Sequence, residues 1–245
     1  MKDKKVLLMY SGGLDSLLSC IRLINEGFRV YLIHFDNGST IGTENINEGI
    51  KLHLSKFKDN IEYIGVASTA GLFRDYRGIL DIENYTFDEL SIKFPGVSIS
   101  QYRCLMCRMA MYTYSIALAK SLGISSIAEG ARKSQLFGIE QKALLDEFEL
   151  LCNKYNMNLL LPVFDLEDDM IRDNELLRNG IVPIAYESKC LLGYPMNAKL
   201  NIEQIESLRK MYLSLREYQE EHIDDSSFQY MLKTCSHEKN NVEWK

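Results

Sequence analysis

The feature that most constrains this chain is the hexapeptide Ser11-Gly12-Gly13-Leu14-Asp15-Ser16, which stands between two patterns of different period. Ahead of it Lys5 to Tyr10 is a compact apolar run, and after it Leu14, Leu17, Leu18, Ile21 and Ile24 recur at helical spacing until Gly27. The order is therefore strand, tight loop, helix. Glycines let backbone amides approach an anion closely, the two serines add hydroxyl donors, and the helix start presents unpaired N–H groups with a favourable dipole. This predicts a phosphate-binding loop. It is not the Walker loop, because no lysine follows the glycines. Asp15 is a candidate magnesium-proximal carboxylate. The plainer reading is a glycine-rich turn with Ser11 as helix cap.

The rest of the chain repeats the alternation. A second apolar run from Arg29 to Phe35 ends in Asp36-Asn37-Gly38, an amphipathic stretch covers Glu44 to Phe57, and Ile61 to Val66 reads as a third strand. Residues 68–101 read as a less regular insertion rich in aromatic and charged residues, a candidate lid or substrate loop. A helix from about Cys104 closes at Leu122-Gly123, and the strand Ile124 to Glu129 leads into Gly130-Ala131-Arg132-Lys133-Ser134, whose Arg and Lys make it a candidate anion site. Helix Ile139 to Tyr155, strand Asn158 to Phe164 near an edge because of Pro162, and helix Asp168 to Asn179 follow. Strands alternating with helices predict an α/β fold with a doubly wound, mostly parallel sheet, its ligand crevice at the C-terminal strand edges. The helical spacing of Ile202, Ile205, Leu208, Met211, Tyr212 and Leu215 then predicts a helical C-terminal appendage, over 201–245, on a main domain over 1–200. A shorter apolar stretch, Phe228 to Leu232, precedes a polar tail from Ser236 to Lys245.

Composition bounds the class. With 46% hydrophobic residues in 245, a sizeable core can form, and no apolar run reaches the roughly 18 residues of a membrane-spanning helix. The expected location is the cytoplasm. Twenty-eight Lys and Arg against 34 Asp and Glu give a net charge of -6, which argues against a dedicated nucleic-acid coat but leaves room for a local basic groove.

Six cysteines in such a chain point to thiols, metal ligands or catalytic sulfurs rather than a disulfide framework. Cys104 and Cys107, three positions apart at the start of a predicted helix, can face one metal-sized space, and a helix start favours the thiolate. Arg103 and Arg108 flank them. No second close pair exists downstream, only the single Cys190. Cys20 and Cys152 fall on apolar helix faces and are expected in the core, and no metal is expected at Cys235. Phe73, Tyr76, Tyr85 and Phe87 read as local packing rather than a base-stacking platform.

On the Ser-Gly-Gly-x-Asp-Ser loop the chain resembles the PP-loop ATP pyrophosphatases, also called adenine nucleotide α-hydrolases. The resemblance implies cleavage of ATP between the α and β phosphates, with Ser11 to Ser16 holding pyrophosphate and the strand end at His34, Phe35 and Asp36 framing adenine and ribose. The CxxC plus one distant cysteine is similar to the iron–sulfur tRNA thiolation members of that superfamily. By that likeness Cys104, Cys107 and Cys190 would hold a [4Fe-4S] cluster with one open position. Other readings of the same cysteines are a catalytic persulfide pair, or Zn2+ completed by His222 or His237. The segment Glu129 to Gln135, with Pro162 to Asp165 and Cys190, is instead similar to the sulfonucleotide reductase branch.

The expected activity is adenylation of a substrate with release of AMP and pyrophosphate, followed by sulfur transfer. Asp15, Lys133, Cys104, Cys107 and Cys190 are the candidate catalytic residues, and Gly130 and Arg132 join the loop in binding nucleotide. The implied cofactors are ATP, Mg2+ and the cluster. The implied partners are a tRNA or small-molecule sulfur acceptor, a sulfur donor (sulfide, persulfide or carrier protein) and, left open, a second copy of the chain. Alternatives are a sulfonucleotide reductase, a nitrogen-ligating synthase with structural cysteines, and a non-catalytic nucleotide sensor.

Overall fold

The first apolar run forms β1 (Lys4–Met9), whose side chains divide between two cores, Val6 and Leu8 on one face and Leu7 and Met9 on the other. A strand buried on both faces needs strands on both edges and helices above and below. It has them in this computed structural model, which describes residues 4–80, 86–135, 138–192, 200–225 and 228. β1 pairs in parallel with β2 (Phe28–Asp36) and with β5 (Ser126–Glu129). Beyond them lie β4 (Ile61–Ser68) and β6 (Asn158–Leu160), so the sheet runs β4-β2-β1-β5-β6 with every pair parallel. The chain thus winds outward from β1 in both directions, and the strand order reverses between β1 and β5. Ligands of such sheets bind at that reversal, outside the carboxyl ends of the strands.

Helices α1 (Leu14–Asn25), α2 (Asn45–Leu54) and α7 (Asp169–Arg178) cover the Val6 face. The Leu7 face is covered by α3 (Ala70–Leu80), α5 (Ile99–Leu122), α6 (Lys142–Lys154) and α8 (Ile202–Asp224). Tyr112 of α5 stacks on Phe148 of α6 at 4.2 Å, and Phe148 meets Tyr212 of α8 edge-on at 5.1 Å, so three helices share one aromatic seam. Helix α8 therefore packs into the main core through Leu208, Met211, Tyr212 and Leu215. Cys20 and Cys152 are fully buried, in the core positions expected of them.

Three expectations need correction. Among the described residues of the insertion over 68–101 much is helical: α3 and α4 (Phe87–Lys93) lie in it, α3 because Leu72, Phe73 and Tyr76 recur at helical spacing and bury against α5. Helix α5 starts at Ile99, well before Cys104, since Ser98 and Gln101 form a reciprocal capping box. Strand β6 stops at Leu160, before Pro162, although it does lie at the sheet edge. Tyr85, Cys235, His237 and the tail from Ser236 lie outside the described residues.

Candidate active site

The loop after β1 delivers Gly13 as the N-cap of α1, with no side-chain cap, so Ser11 is not the helix cap. The serines face each other instead: Ser11 Oγ lies 3.1 Å from Ser16 Oγ, and Ser16 Oγ donates to the Gly13 carbonyl at 2.8 Å. Uncapped N–H groups of the first helical turn are left for a ligand. From the neighbouring strand end, Gly130 approaches so closely that a Cβ there would stand 2.7 Å from the Ser16 backbone nitrogen. The loop and the end of β5 thus form one wall.

That wall opens into a cavity of about 550 Å³. Ser11, Gly13, Leu14, Asp15, Ser16, His34, Phe35 and Gly130 line it, and so do all three candidate cysteines, Cys104, Cys107 and Cys190. Phosphate loop and thiols therefore face the same space. Cys104 and Cys107 come from the second and third turns of α5, whereas Cys190 comes from a short antiparallel ladder in which β7 (Lys189–Cys190) pairs with β3 (Thr40–Ile41). The amide nitrogen of Asn37, just past β2, donates to Cys107 Sγ at 3.3 Å and to Cys190 Sγ at 3.6 Å.

Because α5 begins five residues earlier than Cys104, the helix dipole does not favour the thiolates as expected. Burial dominates, pushing the Cys104 thiol up to about 12 and the Cys107 thiol up to about 11, with the neighbouring sulfurs adding to the rise. The Asn37 hydrogen bond and Arg108 work in the opposite direction at Cys107. Burial also works against the charge of Arg108, but its ion pair with the buried Glu129 more than offsets this and keeps the guanidinium protonated.

Asp15 sits in a charged network. Its carboxylate accepts from Gln135 Nε2 at 2.5 Å and lies 3.4 Å from both Arg132 Nε and Arg172 Nη1. Burial raises its pKa, partly countered by the two arginines. Both carboxylate oxygens meet donors in this arrangement, and no step below is routed through Asp15 as a metal ligand. Arg132 is buried and bound to Asp15 and Asp169, so it acts on the loop from behind rather than lining the cavity. Lys133 is exposed and outside the cavity lining. Asp36 turns away as well, its carboxylate accepting from the Gly38 backbone at 2.8 Å and from Thr40. His34 is buried with its ring between the Tyr10 carbonyl at 2.9 Å and Ser188 Oγ at 3.2 Å, and desolvation lowers its pKa.

For an iron–sulfur or zinc site the donor chemistry fits, since three cysteines line one cavity. Their present spacing is open: among the described residues no three His, Cys, Asp or Glu side chains form a group that could hold a metal ion. His222 takes no part, its Nδ1 lying 3.0 Å from the Tyr218 carbonyl and its ring against Tyr76 and Tyr218.

Several site residues had no local signal. Arg172 lies 157 positions from Asp15, and Glu140, which lines the cavity and is pushed by burial up to about 7, looks in sequence like any helix-boundary glutamate. Asn37 was legible in principle, because it follows a strand that ends at the crevice.

Comparison with known proteins agrees with this geometry. A sequence model of the ThiI family, described as thiamine biosynthesis protein, matches residues 1–174. A probable tRNA sulfurtransferase of Methanocaldococcus jannaschii is 24% identical over 185 residues, covering 75% of this chain and 40% of the relative. A 4-thiouridine synthetase solved as an RNA complex with bound ATP superposes with a TM-score of 0.58 at 16% identity, over 90% of this chain and 53% of that one. The chain thus spans about half or less of the length of these relatives. On the loop, the parallel sheet and the extent of the match, the chain belongs to the ThiI family of the PP-loop superfamily.

Proposed function

We propose that this chain catalyses ATP-dependent sulfur transfer to tRNA. The observation that carries the reading is the single cavity lined by both the Ser11–Ser16 loop and Cys104, Cys107 and Cys190. The sulfurtransferase and 4-thiouridine synthetase names of the relatives support a tRNA uridine as the acceptor.

In the first step a base carbonyl oxygen attacks the α-phosphorus of ATP, the α–β bridging bond breaks, and pyrophosphate leaves. Free N–H groups at the start of α1 and the hydroxyls of Ser11 and Ser16 hold the departing phosphates, where fixed donors stabilise developing charge. Arg132 and Arg172 hold Asp15, and with it the loop, in register. In the second step a hydrosulfide taken from the sulfide donor and held at the cysteine end adds through sulfur to the activated carbon, leaves its holder and gives up its proton to solvent as the carbon–oxygen bond to AMP breaks, with no change of oxidation state. Cys104, Cys107 and Cys190 would hold a [4Fe-4S] cluster, which when bound supplies an open iron for that sulfur. His34 and Phe35 line the same cavity, where they would frame the nucleotide.

The test is pyrophosphate release from ATP with unmodified tRNA and a sulfide donor under anaerobic conditions. The reading expects release that depends on tRNA and is lost in Ser16→Ala. Release of sulfite from a sulfonucleotide, with no tRNA dependence, would contradict it.

A further inference from the structure

We infer that Asn37 is a positioning residue of the sulfur site, holding Cys107 and Cys190 toward one point through two N–H···S hydrogen bonds. This deepens the sulfur-transfer reading and rests on it for its meaning, though not for its geometry.

Asn37 is 7% exposed and follows the last residue of β2. A side-chain amide has two N–H donors and one carbonyl acceptor, so its orientation follows from its partners. The carbonyl oxygen accepts from the Ser39 backbone N–H at 2.9 Å. That leaves the –NH2 group facing the sulfurs, one hydrogen for Cys107 Sγ at 3.3 Å and one for Cys190 Sγ at 3.6 Å.

The two cysteines arrive on unconnected elements, α5 and the β3–β7 ladder, and Cys190 is exposed at its edge. Asn37 is a common tether between them. Sulfur accepts hydrogen bonds weakly when neutral and more strongly when it carries charge or donates to an electrophile, so a fixed donor pair orients both sulfurs without being consumed. Its rigidity comes from β2 and from the Ser39 contact rather than from the thiols. Replacing Asn37 by leucine keeps the bulk while removing both N–H donors and adding no charge beside the thiols.

The experiment uses the full chain carrying Cys104→Ala, reduced and chelator-treated, so that Cys107 and Cys190 are the thiols left in the site. Dibromobimane bridges two neighbouring thiols to a fluorescent product, identified as the Cys107–Cys190 pair by peptide mass spectrometry. The ratio of bridged to singly labelled product is expected to fall by about tenfold in Asn37→Leu. In the otherwise wild-type chain the same substitution is expected to lower kcat for tRNA thiolation while leaving KM for ATP unchanged. Asn37→Ser, too short to reach both sulfurs, provides a second variant with the same expectation should the leucine variant fail to reach the wild-type Tm. Bridging as efficient in the folded variants as in the parent overturns the inference. If bridging depends on Asn37 but the wild type does not thiolate tRNA, the sulfur-transfer reading fails while the positioning role stands.

Discussion

The backbone N–H of Tyr186 donates to the carbonyl oxygen of Gly12 at 2.9 Å, fastening the segment that carries Cys190 to the phosphate loop. Further on, Ser188 Oγ lies 3.2 Å from His34 Nε2, and the Leu191 N–H donates to the Ser39 carbonyl at 2.9 Å. Between these ties, Glu187 Oε2 stands 2.6 Å from the point where a Cβ on Gly13 would be. A carboxylate against an anion-binding loop competes with phosphate for the same donors and repels it. Glu187→Gln is therefore expected to tighten ATP binding by about fivefold, an effect typical of one partly exposed charge. Calorimetry with a non-hydrolysable ATP analogue checks this, and an unchanged affinity would show that the carboxylate swings clear before nucleotide enters.

Gly12 should tolerate no side chain. Its φ is +81°, and a Cβ would stand 2.6 Å from Ile46 Cδ1 and 2.7 Å from the Tyr186 carbonyl oxygen, which as backbone cannot rotate away. Gly12→Ala is expected to lower stability by about 1–3 kcal/mol and to break the tie to Tyr186. Thermal denaturation with and without ATP analogue reads both effects; a wild-type Tm with full ligand protection would contradict them.

Glu140 should make stability depend on pH. Burial raises its carboxyl to about 7 in the folded chain from an ordinary 4.5, while its Oε2 accepts the Arg132 N–H at 3.0 Å. The folded state then holds a proton that the unfolded state has released. This contribution to stability is complete below about pH 4.5 and is lost as pH rises to about 7. Glu140→Gln keeps the acceptor and removes the titration. Across that window its stability should fall less than the wild type's, by on the order of 2 kcal/mol; parallel urea-denaturation profiles would refute the assignment.

How much of this was legible follows from the range of each signal. The β1–loop–α1 unit could be read because its strand run, glycines and helical spacing lie within one short stretch, and the buried positions of Cys20 and Cys152 followed from helical periodicity. Helix α3 was missed because its buried Leu72, Phe73 and Tyr76 stand among charged residues and point to α5, a partner distant in sequence. The start of α5 was carried by the Ser98–Gln101 box rather than by apolar spacing. Arg132 was chosen for its charge, yet its role depends on Asp15 and Asp169, and no local pattern reports such long-range pairing. Asn37 looked like turn material, and its second role appears only when α5 and β7 bring their sulfurs to it.

The cysteines should separate cleanly by role. Cys20→Ser and Cys152→Ser place a hydroxyl in fully buried apolar surroundings and should cost about 1–3 kcal/mol each while sparing sulfur transfer. Cys190→Ser lies at an exposed position and should leave Tm unchanged while abolishing transfer. Denaturation curves beside thiolation assays decide it, and a core variant that folds well but cannot thiolate would redraw the sulfur site.

The central claim is that one cavity joins adenylation to sulfur transfer, and it is tested most directly by counting both products in one reaction. Anaerobic protein, ATP, a sulfide donor and unmodified tRNA are incubated together, AMP and pyrophosphate are quantified, and thiolated nucleoside is measured by mass spectrometry after digestion. The account predicts one thiolated nucleoside per AMP in the wild type, and in Cys107→Ala continued pyrophosphate release without thiolation. AMP formed without any tRNA-linked sulfur in the wild type, or thiolation that proceeds without ATP, would contradict it.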